Sequence, residues 1–180
     1  RAVCLLHFGG DMELKLKPIS QAGIAEAISK AEVYRYLKEP GEAESICRDI
    51  LAVEPDNQRA LRLLGLAITD QFTGAVSDRY PEAEVFFRDL TSEYERVYYL
   101  GILTERKAKS QLRAGRPPHT VFPIFEEAMR FFEAAEKIRP PNTDDAILRW
   151  NRCVRLLESR MGSEWRKDME EFDASEGPPV

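Results

Sequence analysis

Histidines, cysteines and paired carboxylates build most active sites and metal centres, and this chain is poor in the first two. Its histidines are His7, in an apolar opening stretch, and His119, beside Pro117-Pro118. As a general base His119 would need a nucleophile within hydrogen-bond reach. None is near it in sequence, so a solvated loop histidine is expected. Cys4, Cys47 and Cys153 form no Cys-x-x-Cys pair, which argues against a zinc site and a disulfide framework alike. Cys47 and Cys153 fall in helical patterns and are expected as small buried hydrophobes in a reducing, cytoplasmic setting. There is no glycine-rich phosphate loop, Gly-x-Ser-x-Gly elbow or His-Glu-x-x-His pair, so no cofactor or metal is expected. Carboxylates are many, but on helices of this composition they occupy solvated faces. No reaction is motivated, and the expectation is a protein that binds rather than catalyses.

Charge and hydropathy narrow the partners. The formal net charge is −5, but Ser163–Val180 holds six acids against Arg166 and Lys167, a net of −4 that leaves the other 162 residues near −1. A near-neutral body gives no electrostatic footprint for nucleic acid. No apolar run is long enough to span a bilayer, so no membrane partner is expected. Hydrophobic residues at 43% and charged residues at 32% of 180 are ordinary for a globular chain able to bury a core. Ala2–Gly10 is apolar but lacks a small-residue cleavage site, which makes it a poor signal peptide. Met12, followed by Glu-Leu-Lys-Leu-Lys-Pro, reads as an initiator, so residues 1–11 are expected to be a non-native extension. The expected organisation is an N-terminal leader over 1–19, a helical domain over 20–160 and an acidic tail over 161–180.

The elements follow from caps, breakers and periodicity. Ser20 can cap a helix running to about Lys38, and Pro40-Gly41 separates it from a second over about 41–53. Asp56 and Asn57 suit the start of a helix over about 58–70. Pro81 opens one over about 81–90, since a first-turn proline forfeits no hydrogen bond. Ser92-x-x-Glu95 reads as a capping box before a helix over about 93–113. Phe122, Phe125, Met129, Phe132, Ala135 and Ile138 then recur every three or four residues, a stripe for burial. Thr143 is expected to cap a seventh helix with Ile147, Trp150, Val154 and Leu157 on one face.

Three stretches of the chain align with one another. In the first, Tyr34 precedes Ala43 and Pro55. The second carries Leu61-x-x-Leu64-Gly65-x-x-Ile68 and then Ala83-x-x-x-Phe87. The third carries Val97-x-x-Leu100-Gly101-x-x-Thr104, then Ala128-x-x-x-Phe132 and Pro140. Small residues (Ala31, Gly65, Gly101 on first helices; Ala43, Ala83, Ala128 on second) let paired helices approach closely, and larger neighbours fill the groove. Pro55 and Pro140 end their pairs. These residues and spacings, over roughly 24–160, resemble the tetratricopeptide repeat, and the run as a whole is similar to short bacterial tetratricopeptide proteins. The second and third units depart from the pattern by about six extra residues around 71–80 and about fifteen ending at 112–120. Glu95 stands where the second unit's closing proline belongs.

The resemblance implies an all-α, short right-handed α-solenoid of about three helix-turn-helix pairs, with the seventh helix capping the last pair. It also implies a concave groove lined by the first helices, in which a partner's peptide lies. In that register the first pair presents Ile28, Glu32, Arg35 and Tyr36. The second presents Arg59, Arg62, Leu66, Thr69 and Asp70, the third Tyr98, Ile102, Glu105 and Arg106, and the last helix Ile147, Asn151 and Arg155. The residues expected to bind are Tyr36, Arg59, Arg62, Leu66, Tyr98, Ile102, Arg106, Asn151 and Arg155. Aromatics and arginines anchor interfaces, and several arginines in one groove favour an acidic peptide. Ile28 and Glu32 stand where relatives that clamp a chaperone's C-terminal carboxylate would want Lys and Asn, so that ligand is not implied. Two alternatives stay open: self-assembly through 71–80, 112–120 or the tail, and a role as accessory subunit of an enzyme. In the tail, Trp165, Met169 and Phe172 would give a short helix an apolar edge. That edge could cap the final helix or serve as a detachable motif, or the acidic segment could occupy the arginine-bearing groove.

Overall fold

A computed structural model describes residues 14–160. The leader expected over 1–11 and the tail residues Trp165, Met169 and Phe172 lie outside the described residues. Among those described, all regular structure is helical: α1 (Ile24–Tyr36), α2 (Pro40–Val53), α3 (Gln58–Asp70), α4 (Tyr80–Arg88), α5 (Glu93–Arg113), α6 (Pro118–Lys137) and α7 (Asp145–Arg160). The boundaries follow the local chemistry. Ser20 Oγ accepts from Gly23 N–H at 3.2 Å, capping a short 3-10 turn, Gln21–Gly23, that leads into α1. Asn57 caps α3 by accepting from Ala60 N–H at 3.0 Å, and Ser92 caps α5 by accepting from Glu95 N–H at 3.3 Å. The capping box is only half made, because the Glu95 carboxylate turns away to Arg62. Thr143 is not the cap of α7: Leu148 N–H donates to Asp144 O, so Asp144 starts that helix. His119 sits in the first turn of α6, not in a loop.

Each helix packs on the next, and α1 also touches α3, as α3 touches α5. The small residues act at these contacts. Ala31, Ala43, Ala83 and Ala128 are wholly buried. A Cβ added at Gly65 would stand 2.5 Å from the Phe87 ring, and one at Gly101 would stand 2.7 Å from the Phe132 ring. Both phenylalanines are fully enclosed. The missing Cβ on α3 and α5 is therefore the space that a ring from α4 and α6 fills. Phe87 continues the packing by stacking on Tyr99 of α5, centroids 5.4 Å apart. One apolar cluster runs from α1 to α5 and a second joins α5, α6 and α7, with Leu66 and Tyr99 against both. Cys47 and Cys153 are free thiols inside these clusters, and burial pushes both up to about 12. A thiol so disfavoured as thiolate is a packing group, not a nucleophile.

The two extra stretches pack on each other. Phe72 folds back into the core, and Asp78 closes the loop by accepting from Thr73 N–H, Thr73 Oγ1 and Gly74 N–H. Gly74, at φ +87°, lies so close to α5 that a Cβ would stand 2.5 Å from the Ser110 carbonyl oxygen. Here only glycine supplies both the dihedral and the clearance. Lys107 lies over the Tyr80 ring at 4.4 Å. The added length of α5 is thus the floor for the added loop after α3. Both ends of that loop are tied to Glu44 of α2, which accepts from Gln71 at 2.8 Å, from Arg79 through two nitrogens at 2.8 and 2.5 Å, and from Arg48 at 2.7 Å.

Gly101→Ala and Gly65→Ala should each destabilise the fold by about 1–3 kcal/mol, the cost of overpacking an enclosed ring. Urea denaturation checks this, and an unchanged midpoint would mean that the rings can retreat. Glu44 generates the second prediction. Its hydrogen bonds from Arg79, outweighing desolvation, hold the carboxyl at about 2 against an ordinary 4.5. A folded-state value below the unfolded one stabilises above about pH 4.5, and that contribution disappears as pH falls towards 2. Glu44→Gln should therefore lower stability at pH 7 and flatten its decline between those limits, read from denaturant midpoints across the series.

Candidate functional site

The face shared by α1, α3 and α5 carries most of the residues expected to bind. Its charges are laid out so that a base on one helix meets an acid on its neighbour. Arg59 Nη2 lies 3.0 Å from Glu32 Oε1 between α3 and α1, and Arg62 Nη1 lies 2.7 Å from Glu95 Oε1 between α3 and α5. At the C-terminal end of α3, Asp70 is held from both sides. Arg35 of α1 donates to Oδ2 at 2.8 Å and Arg106 of α5 donates to Oδ1 at 2.5 Å. Arg106 also donates to the Leu66 carbonyl at 3.0 Å and to Thr69 Oγ1 at 2.5 Å. Its guanidinium therefore covers carbonyl and carboxylate acceptors in the last turn of α3, where the helix dipole favours a cation. Desolvation lowers its pKa, opposed by Asp70, but an arginine stays charged regardless.

Next to this ladder, α5 meets α7. Glu105 is wholly buried. One carboxylate oxygen takes Lys109, and the other lies 3.5 Å from Arg149 Nη1 without a hydrogen bond. Burial of an acid at this depth is tolerated because two cations face it. Burial raises the pKa of the Tyr98 hydroxyl, and Arg149 opposes that shift.

Between α1, α3 and α5 lies a cleft of about 310 Å³, lined by Glu32, Arg35, Tyr36, Arg62, Leu63, Leu66 and Tyr99. Leu63 is almost fully covered and forms the floor, whereas Tyr36 is 87% exposed and stands free at the rim. Three of the expected residues, Tyr36, Arg62 and Leu66, meet here. Arg59 and Arg106 lie on the same face but outside the lining, each engaged by an acid of a neighbouring helix.

The other four expected residues also lie outside the cleft, and burial corrects the expectation for Ile102. Ile102 is 1% exposed and packs in the cluster with Cys153, because α7 covers that side of α5. Tyr98 is half-buried against Phe132, Tyr99 and Tyr94 at 6.1, 5.0 and 5.8 Å between centroids. It lies one turn before Gly101, so the close approach of α6 at Gly101 captures it. Asn151 and Arg155 belong to α7, which does not contribute to the cleft. From α5 the cleft is lined instead by Tyr99, which is half-buried like Tyr98 and stacks on Phe87. Finally, Arg35, Arg59, Arg62 and Arg106 are not open charges, since each already has a carboxylate.

Among the described residues, no group of three or more His, Cys, Asp or Glu side chains is placed to hold a metal ion, and no helix is long and apolar enough to cross a membrane.

The Asp70 clamp and the rim pair differ in exposure, and so should differ in energy. Arg106 and Asp70 are 23% and 27% exposed, Arg59 and Glu32 54% and 38%. Double-mutant cycles should give a coupling of about 1.5–3 kcal/mol for Arg106 with Asp70, in the range of hydrogen bonds to charged groups, and under about 1 kcal/mol for the exposed pair. Equal couplings would show that Arg106 does not lock α3 to α5. Compared with family models, with curated proteins and with solved structures, the chain matches none.

Proposed function

We propose that this chain is a non-catalytic scaffold of the tetratricopeptide type, a short right-handed α-solenoid of three helical hairpins ended by α7, which holds a peptide segment of another protein. Three features support the solenoid reading. Each helix packs on its successor, first helices touch first helices (α1 with α3, α3 with α5), and small residues sit at the hairpin contacts. The observation that carries the binding reading is the cleft between α1, α3 and α5. It combines an apolar floor from Leu63 and Leu66, two aromatic rings from Tyr36 and Tyr99, and two guanidinium groups from Arg35 and Arg62. Apolar area with a few polar groups that fix orientation is the usual chemistry of a recognition pocket.

The ion pairs sharpen the ligand class. An acidic peptide entering the cleft finds Arg62 bound to Glu95 and Arg35 bound to Asp70, so its carboxylate must displace an internal one. The gain from that exchange is small in solvent, and the apolar floor and tyrosines must supply the rest. The segment that fits is therefore short, with an aromatic or aliphatic anchor flanked by an acidic residue. Self-assembly through 71–80 is less favoured, because that loop is folded onto α5 and closed by Asp78.

An array of immobilised peptides that pair one aromatic or aliphatic residue with flanking Asp or Glu tests this reading. Binders should appear, and Tyr36→Ala or Arg62→Glu should weaken them about tenfold or more, as expected at interface anchors. Arg155→Ala, on α7, should leave them unchanged. An array without binders, or binders indifferent to both cleft variants, would reject the assignment.

A further inference from the structure

Arg35, Arg59, Arg62 and Arg106 each donate to a carboxylate at 2.5–3.0 Å. Arg149, which reaches α5 from α7, does not. Its acid is Glu105, which is 1% exposed, gives one oxygen to Lys109 and leaves the other 3.5 Å from Arg149 Nη1 without a hydrogen bond. A further polar neighbour, the Tyr98 hydroxyl, is uncharged. Asp145, one turn earlier on α7, acts on Tyr98 and forms no ion pair with Arg149. A guanidinium has five donors, so this one, 38% exposed, keeps most of its fork unfilled.

Arg149 also belongs to a run of like charges. Burial lowers the pKa of Arg106 most, and Arg35 and Arg149 both add to the lowering, so guanidinium groups from α1, α5 and α7 stand within repelling distance. Burial and Glu105 raise the Cys153 thiol, and Lys109, Arg149 and Arg152 oppose them, which gathers three cations where α5 meets α7. Arg35, Arg106, Lys109 and Arg149 thus share two carboxylates, Asp70 and Glu105, and the second is out of solvent. The surplus positive charge lies at the α7 end, beside the cleft and outside its lining.

We propose that an acidic side chain of the bound peptide docks on Arg149 while the peptide's apolar anchor fills the cleft at Tyr36, Leu63 and Leu66. This rests on the peptide-binding reading and adds register and direction to it. At Arg35 or Arg62 an incoming carboxylate must displace an internal one. At Arg149 it meets an unfilled fork, so a charge-assisted hydrogen bond is gained without another being lost. The α7 position lies one helix spacing beyond α5 and two beyond α3, each about 8–10 Å. At about 3.3 Å per residue of extended chain, the acid belongs about three to six residues from the anchor, on one side of it only.

Peptides with one apolar anchor and a single Glu moved stepwise along either side, each paired with its Gln counterpart, test this on the full chain. Affinity should peak with Glu about three to six residues away on one side, about tenfold above the Gln counterpart, the size of a hydrogen bond to a charged group. Arg149→Gln should abolish that difference and leave the affinity of the Gln peptides as it was. Tyr36→Ala should weaken both series alike, because the anchor is common to them. If circular dichroism shows that Arg149→Gln unfolds the chain, Arg149→Lys keeps a cation opposite Glu105 and should cut the difference to about threefold, since the fork is lost and the charge kept. Absence of a one-sided optimum overturns the proposal. So does a difference that survives both Arg149 variants, or that Arg62→Gln abolishes instead, and either result leaves the cleft assignment standing. No binding, or binding indifferent to Tyr36, rejects the cleft itself, and the register falls with it.

Discussion

The close approach of paired helices at Gly65 and Gly101 is the constraint on which the rest depends. A ring can lie against a helix backbone only where no Cβ intervenes, and Phe87 and Phe132 use both such places. Each ring then seats a second layer: Phe87 stacks on Tyr99, and Phe132 receives Tyr98. The hairpins α3–α4 and α5–α6 are thereby held at a spacing that leaves α1, α3 and α5 side by side. The cleft is a consequence of that spacing, and so is every ion pair that crosses it.

Once the first helices are neighbours, their charges have to be reconciled. Arginines at nearly every exposed turn would repel one another in a shared groove. The structure avoids this by setting an acid from an adjacent helix against Arg35, Arg59, Arg62 and Arg106. Asp70 is the tightest case, gripped by α1 and α5 together. A face neutralised in this way presents an arrangement of paired groups rather than a net charge. Buried Glu105 extends the same logic to α7, whose Arg149 compensates it together with Lys109 of α5 itself.

The departures from repeat regularity form a single unit. The loop after α3 needs a surface on which to lie, and the extra turns of α5 provide it at Ser110 and Ala114. Asp78 closes the loop internally, and Glu44 fastens both of its ends to α2. Taken one at a time, the two lengthened stretches are loose insertions. Packed together, they extend the core.

The helices were legible in the sequence because their signals are local. Ser20, Asn57 and Ser92 cap where a side chain can reach its own backbone, and Pro81 stands in the first turn of α4 because its φ is already set. The alternation of small and large residues likewise announced which helices pair, and the buried places of Cys47 and Cys153 followed from periodicity. The site was only partly legible, because which face of a helix stays open depends on what covers the others. Ile102 and Tyr98 have the residue types of a binding surface, but α7 and Phe132 claim them, and from α5 the cleft is lined by Tyr99. The pairing of Arg62 with Glu95 and of Arg106 with Asp70 joins residues more than thirty positions apart. Residue types and spacing along one helix could place those charges on a face. Only the packing of one helix against the next decided that they would satisfy each other.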